Sequence, residues 1–183
     1  MKLEFCKLSE EHLELVRKWR MDPEVSKYMY TDPKITPEQQ RNWYEKIKRN
    51  PTRKYWIIRV DDEFVGVVTL YNIDLINKRC SWAYYLGETS VRGKGVGKQI
   101  ELNILSYVFD ELKLNKLCCE VLAFNELVVK IHQKYGSKIE GRLRKHIFKN
   151  GEFHDVIVMG ILKEEWERIK EKFDFVKAKI EEQ

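Results

Sequence analysis

Val91-Arg92-Gly93-Lys94-Gly95-Val96-Gly97-Lys98 stands between a strand-like run and a long apolar-periodic segment. Glycines at three alternate positions let the backbone fold closely around an anion, because no Cβ blocks the approach and positive φ becomes accessible. A helix starting at Val96 points its free N–H groups at the same spot, and Arg92, Lys94 and Lys98 add positive charge. The spacing excludes two other phosphate motifs. A dinucleotide G-x-G-x-x-G beginning at Gly93 would need glycine at Lys98, and a P-loop ending Gly97-Lys98 would need glycine at Arg92 and Ser or Thr at Gln99.

Outward from this loop, Cys80 to Leu86 reads as the strand that delivers the chain to it. Val96, Ile100, Ile104, Val108 and Leu112 recur every fourth residue and predict a helix buried along one face. Leu117 to Phe124 is a nearly continuous apolar run, as in a strand covered on both sides. Asn125 and Glu126 then open a short helix with Leu127, Ile131 and Tyr135 inward, closed by Gly136. Two strands, Lys138 to Phe148 and Phe153 to Ile161, meet at Lys149-Asn150-Gly151.

Upstream, Leu3 to Leu8 is a first strand, and a helix from Ser9 turns Leu13, Val16 and Trp19 toward a core. Arg20 to Lys34 is loop or broken helix. Thr36-Pro37-Glu38-Gln39 is a capping box that launches a second helix. Tyr55 to Val60 and Phe64 to Ile73 form a hairpin. The tail from Lys163 reads as a charged helix bearing Trp166, Ile169, Phe173 and Val176. Two destinations are open to it, its own domain or a second subunit in a homodimer.

The loop, read as R-x-x-G-x-G, resembles the acetyl-CoA pyrophosphate loop of the GNAT N-acetyltransferase superfamily. The element order matches that family up to the tail. The resemblance implies an α/β (α+β) fold with a mixed, mostly antiparallel sheet and helices on both faces. Residues 1–162 would form the acetyltransferase domain and 163–183 a C-terminal helical extension.

The 183 residues suffice for one domain with a full core. Hydrophobic residues make up 43% and charged residues 34%, which excludes a disordered chain. No apolar run approaches the roughly 20 residues of a membrane span, and the opening Met1-Lys2-Leu3-Glu4-Phe5 lacks a signal-peptide core, so a cytoplasmic protein without a membrane partner is expected. Cys6, Cys80, Cys118 and Cys119 show no CxxC spacing and read as buried free thiols, with no metal. A net charge of +5 suits an anionic small substrate and does not require nucleic acid.

Acetyl transfer from a thioester to an amine needs a held donor, a neutral amine, a polarised carbonyl and a proton for the departing thiolate. By the resemblance, the main chain of Leu86, Gly87 and Glu88 contacts the pantetheine and acetyl group, and Asn125 contacts the pantetheine arm. Many members carry a tyrosine four residues before the glycine that ends the next helix. Here that position is His132, a departure, although imidazolium groups ordinarily titrate near ~6.5 and can give a proton to a thiolate. Glu120, the only charge between Leu117 and Phe124, is the candidate base, since desolvation on a covered strand would raise its pKa. Glu88 is a second candidate.

A narrower resemblance rests on Trp19-Arg20, Pro23-Glu24-Val25, Lys27-Tyr28-Met29-Tyr30-Thr31, Lys54-Tyr55-Trp56-Ile57, Asn77-Lys78-Arg79-Cys80 and Phe148-Lys149-Asn150-Gly151-Glu152-Phe153-His154-Asp155. These are similar to the sugar-nucleotide N-acetyltransferases of pseudaminic acid biosynthesis, which acetylate the 4-amino group of UDP-4-amino-4,6-dideoxy-N-acetyl-beta-L-altrosamine. Such an acceptor asks for cations, an aromatic surface and an apolar wall, for which Arg20, Met29, Tyr30 and Thr69 are the candidates. The competing readings are a related enzyme acting on protein N-termini or polyamines, and a CoA-binding module without turnover.

Overall fold

The computed structural model describes residues 1–182. Among them, strands β1 (Leu3–Lys7), β2 (Lys54–Val60), β3 (Glu63–Asp74), β4 (Arg79–Leu86), β5 (Lys116–Leu122), β6 (Lys138–Lys149), β7 (Glu152–Leu162) and β8 (Lys179–Ile180) form a single sheet in the order β6-β7-β5-β4-β3-β2-β1-β8. Antiparallel pairing links β1 through β4 and joins β7 to both β5 and β6, whereas β4–β5 and β1–β8 are parallel. This is the mixed, mostly antiparallel sheet expected.

Helices α1 (Leu13–Met21), α2 (Pro23–Ser26) and α3 (Pro37–Lys48) belong to one face, where Val16 and Trp19 pack with Ile57 and Val67. Helices α4 (Val96–Ser106), α5 (Glu126–Lys134) and α6 (Lys163–Ile169) cover the other. There Ile100, Ile104, Val129 and Trp166 join the larger core with Val68, Leu70 and Trp82. No helix among the described residues is long and apolar enough to cross a membrane. The capping box at α3 is formed, with the Thr36 amide donating to Gln39 Oε1 at 2.8 Å and the Gln39 amide to Thr36 Oγ1 at 3.2 Å. The fourfold stripe of α4 is fully buried from Val96 to Val108, and Leu112 closes it, partly buried, past a π-turn at Tyr107–Glu111.

Three expectations need correcting. The tail is helical only through Ile169 and a short 3-10 turn at Lys170–Lys172. It then extends and adds β8 beside β1. Phe173 and Phe175 alternate with the exposed Asp174 at a strand's period of two, and the free edge of β1 supplies hydrogen-bonding groups that a longer helix would leave unpaired. Gln183, the end of the expected extension, lies outside the described residues. On α5, Leu127 is exposed, whereas the expected Ile131 and Tyr135 do pack on the core, and Val128, Val129 and His132 complete the inward face. On β5, burial alternates, with Leu117, Cys119 and Val121 inside but Glu120 exposed and Cys118 half-buried. That apolar run is covered on one side only along much of its length.

Candidate active site

β4 and β5 pair only at Arg79–Ser81 with Lys116–Cys118, and beyond that point they diverge. A cavity of about 700 Å³ fills the gap and reaches both faces of the sheet. Trp82, Tyr84, Cys119, Val128 and His132 border it from the side of α4 and α5; Tyr30, Thr69, Tyr71, Tyr85 and Glu120 border it from the side of α1. The amides of Gly87 and Glu88 both donate to Val65 O, at 2.8 and 3.2 Å, where a bulge interrupts the β2–β3 ladder. Antiparallel alternation from that pair turns the main-chain groups of Trp82 and Tyr84 away from β3 and into the gap. Gly66 permits the close approach, because a Cβ there would lie 2.2 Å from Tyr85 O.

At the end of β4, a 3-10 turn (Thr89–Val91) leads to Gly93 and Gly95, whose φ angles of 76° and 79° are left-handed. Gly95 is the N-cap of α4. Among the described residues no protein acceptor meets the N–H groups of Gly93, Gly95, Val96, Gly97 or Lys98, and the space around Gly93 and Gly95 is open. The result is a concave set of main-chain donors at a helix N-terminus, suited to a diphosphate. Arg92 turns back to donate to Leu86 O at 3.1 Å and Glu24 O at 3.3 Å. It ties the loop to β4 and α2.

His132 and Glu101 meet behind the gap, Nδ1 to Oε1 at 2.8 Å, with both side chains buried. Trp82 packs edge-on against the imidazole at 5.4 Å. Across the gap, Tyr30 Oη donates to Glu120 Oε2 at 2.6 Å. Burial first, and then this carboxylate, push the Tyr30 phenol up, so it acts as a donor. Lys149, at the end of β6 and itself buried, donates to Ser26 O at 2.6 Å, Met29 O at 2.7 Å and Asp32 Oδ1 at 3.0 Å. The Ser26 hydroxyl and then Lys149 hold the Asp32 carboxyl below its usual value. A second cavity of about 580 Å³ adjoins the first through Arg20, Met29, Thr69, Ala83, Tyr84 and Tyr85, and extends under α3 to Lys34 and Trp43.

Residues 2–138 match the family model for the acetyltransferase (GNAT) domain. The chain belongs to the GNAT acetyltransferases. It is 33% identical over 128 residues to the SPbeta prophage-derived N-acetyltransferase YokL of Bacillus subtilis, covering 69% of this chain and 71% of that one. It is 29% identical over 130 residues to acetyltransferase PseH of Campylobacter jejuni, covering 71% and 79%. The fold matches the spermidine N-acetyltransferase of Vibrio cholerae, crystallised with CoA and spermine, at a TM-score of 0.85 and 22% identity over 90% of this chain and 98% of that one.

The acetyltransferase brings Arg20, Met29, Tyr30, Thr69, Leu86, Arg92, Glu120, Asn125 and His132 to one cavity. Asn125 makes no side-chain cap, which leaves its amide to the cavity. Two site expectations change. The Gly87 and Glu88 amides are taken by Val65, and the Glu88 carboxylate accepts from Trp19 Nε1 at 2.9 Å, a bond that anchors α1. Glu120 is exposed, so burial does not desolvate its carboxylate as expected. Its interest now lies in its place in the cavity wall. Sequence reasoning missed Lys149, the Trp82 and Tyr84 main chain, Tyr85 and Glu101. Of these, Glu101 carried a signal, a lone carboxylate between Ile100 and Leu102 on a buried helix.

Proposed function

We propose that this acetyltransferase transfers the acetyl group of acetyl-CoA directly to the 4-amino group of a UDP-linked 4-amino-4,6-dideoxy-N-acetyl-altrosamine. Acetyl-CoA supplies an activated acyl carbon and a thiolate leaving group. The free amides of Gly93 and Gly95–Lys98 fit its diphosphate, with Lys94 and Lys98 adjacent, and the Asn125 amide fits the pantetheine arm. Main-chain N–H groups of β4 in the gap are suited to polarise the acetyl carbonyl. Glu120 takes the amine proton, directly or through water, and His132 gives a proton to sulfur.

One observation carries the acceptor assignment. The cavity beneath α3 is bordered by Arg20 and Lys34 and, among the described residues, by no carboxylate. Among the described residues, no carboxylate oxygen lies within 4 Å of the Arg20 guanidinium, which rests against Met29 and Thr31. Cations with no carboxylate oxygen within 4 Å among the described residues, beside Trp43, Tyr55 and Tyr85, suit a nucleoside diphosphate and disfavour a polycation, with Asp32 near enough to Arg20 to feel its charge. The sequence resemblance to the sugar-nucleotide enzymes supports the same reading.

A polyamine acceptor is the second reading, favoured by the likeness to the Vibrio fold and by the exposed Glu120 in the cavity wall. Thiol release from acetyl-CoA, measured with the UDP-amino-sugar, spermidine and peptide acceptors, separates these. Turnover confined to the nucleotide sugar, with roughly tenfold or greater loss of kcat/KM in Arg20→Met, is expected. Preferential turnover of spermidine overturns the assignment.

A further inference from the structure

We infer that Glu101 is the positioning residue of a buried proton-transfer pair, fixing the His132 imidazole so that Nε2 is the nitrogen presented to the departing sulfur. The inference rests on the reading of His132 as the proton donor.

Glu101 is 1% exposed, on a helix turn flanked by Ile100, Leu102 and Ile104. One oxygen faces His132 Nδ1 at 2.8 Å, and the other is buried with no partner among the described residues. Around it lie groups that the carboxylate pushes toward their neutral forms. The Cys119 thiol and the Tyr84 phenol are both raised by burial first and by Glu101 next. A carboxylate with an orphaned oxygen in such a setting destabilises the fold, and leucine or glutamine would pack there at lower cost. Packing therefore does not account for it. His132, 4% exposed, borders the cavity while its Nδ1 is committed to Glu101.

With Nδ1–H donated to the carboxylate, the imidazolium carries its second proton on Nε2. The amine nitrogen forms a bond to the acetyl carbon, the carbon–sulfur bond breaks, and its electron pair leaves on sulfur. Nε2 then gives its proton to that thiolate. The neutral ring keeps Nδ1–H on Glu101 and is reprotonated by solvent without turning over. The proton lost by the amine goes to Glu120 or water, so charge and protons balance. A tyrosine hydroxyl has one donor and needs no such partner; an imidazole has two nitrogens and does. The carboxylate resolves which one faces the sulfur.

The test combines three variants with a measurement on the free protein. Nitrogen-15 NMR of the histidines, with His132 assigned through His132→Asn, is expected to show the Nδ1–H tautomer of the neutral ring, and Glu101→Gln, whose amide can either accept from Nδ1–H or donate to Nδ1, is expected to weaken that preference. With acetyl-CoA and whichever acceptor of the panel turns over fastest, Glu101→Gln should lower kcat by roughly ten- to a hundredfold. The KM for acetyl-CoA should not change. The double variant with His132→Ala should be no slower than His132→Ala alone. If His132→Ala keeps full turnover, the donor reading falls and this inference with it. If His132→Ala is slow but Glu101→Gln keeps both the rate and the tautomer, the Glu101 inference alone is overturned. Should Glu101→Gln fail to fold, the native tautomer decides, and an Nε2–H ring overturns the inference.

Discussion

Replacing Lys149 with methionine should loosen the acceptor side of the cavity while sparing the donor side. Methionine keeps the length and apolar stem of lysine, so the change removes three donated hydrogen bonds with little change in packing. The Asp32 bond contributes little, because that carboxylate is 41% exposed and rehydrates. The bonds to Ser26 O and Met29 O are charge-assisted and shielded. At about 1.5–3 kcal/mol each, less the partial rehydration of the carbonyls, the loss comes to about 2–4 kcal/mol. For a chain of this size that lowers Tm by about 4–16 °C. The released segment carries Met29 and Tyr30, so the acceptor KM should rise roughly tenfold, the factor that ~1.4 kcal/mol of ordering represents, while the KM for acetyl-CoA holds. Thermal unfolding and steady-state kinetics with each substrate varied read both effects. The same clasp gives a pH signature. Asp32 titrates below its usual 3.8, so its contribution is fully present above that value and lost as pH falls through the lower folded value. An unchanged Tm together with an unchanged acceptor KM would refute the clasp.

Three further outcomes are expected. Gly87→Ala places a Cβ 2.2 Å from the Trp19 indole and should destabilise the docking of α1 by about 1–3 kcal/mol, read by denaturant unfolding; an unaltered midpoint would contradict that packing. Glu120→Gln should lower kcat/KM by about 10²–10⁴, whereas Tyr30→Phe should change the rate far less; near-native kcat/KM in Glu120→Gln removes Glu120 as base. Glu88→Gln keeps an acceptor for Trp19 Nε1 and should turn over at nearly the native rate, so a large loss would restore Glu88 as a base candidate.

Much of the fold was legible because its signals are local. The glycine loop, the α3 capping box, the fourfold stripe of α4 and the Gly136 stop each depend on a few neighbouring residues, and the structure forms all of them. The tail was misread because its charged pattern is compatible with a helix, while the free edge that captured it lies at β1, far away in sequence. The site divides in the same way. Glu120 could be nominated as a lone charge on an apolar run, and His132, Arg20, Met29 and Tyr30 through the family resemblance, and they share one cavity. Lys149 could not, since its partners Ser26 and Met29 lie more than a hundred residues upstream. Nor could the fate of the Gly87 and Glu88 amides, which depends on the bulge at Val65.

The central claim concerns the free amides that open α4, and an amide NMR titration of the protein with CoA addresses it most directly. The account predicts the largest shifts at Gly93, Gly95, Val96, Gly97 and Lys98, with smaller ones at Asn125 and along β4. Saturable binding that leaves the amides of residues 93–98 unmoved would contradict it.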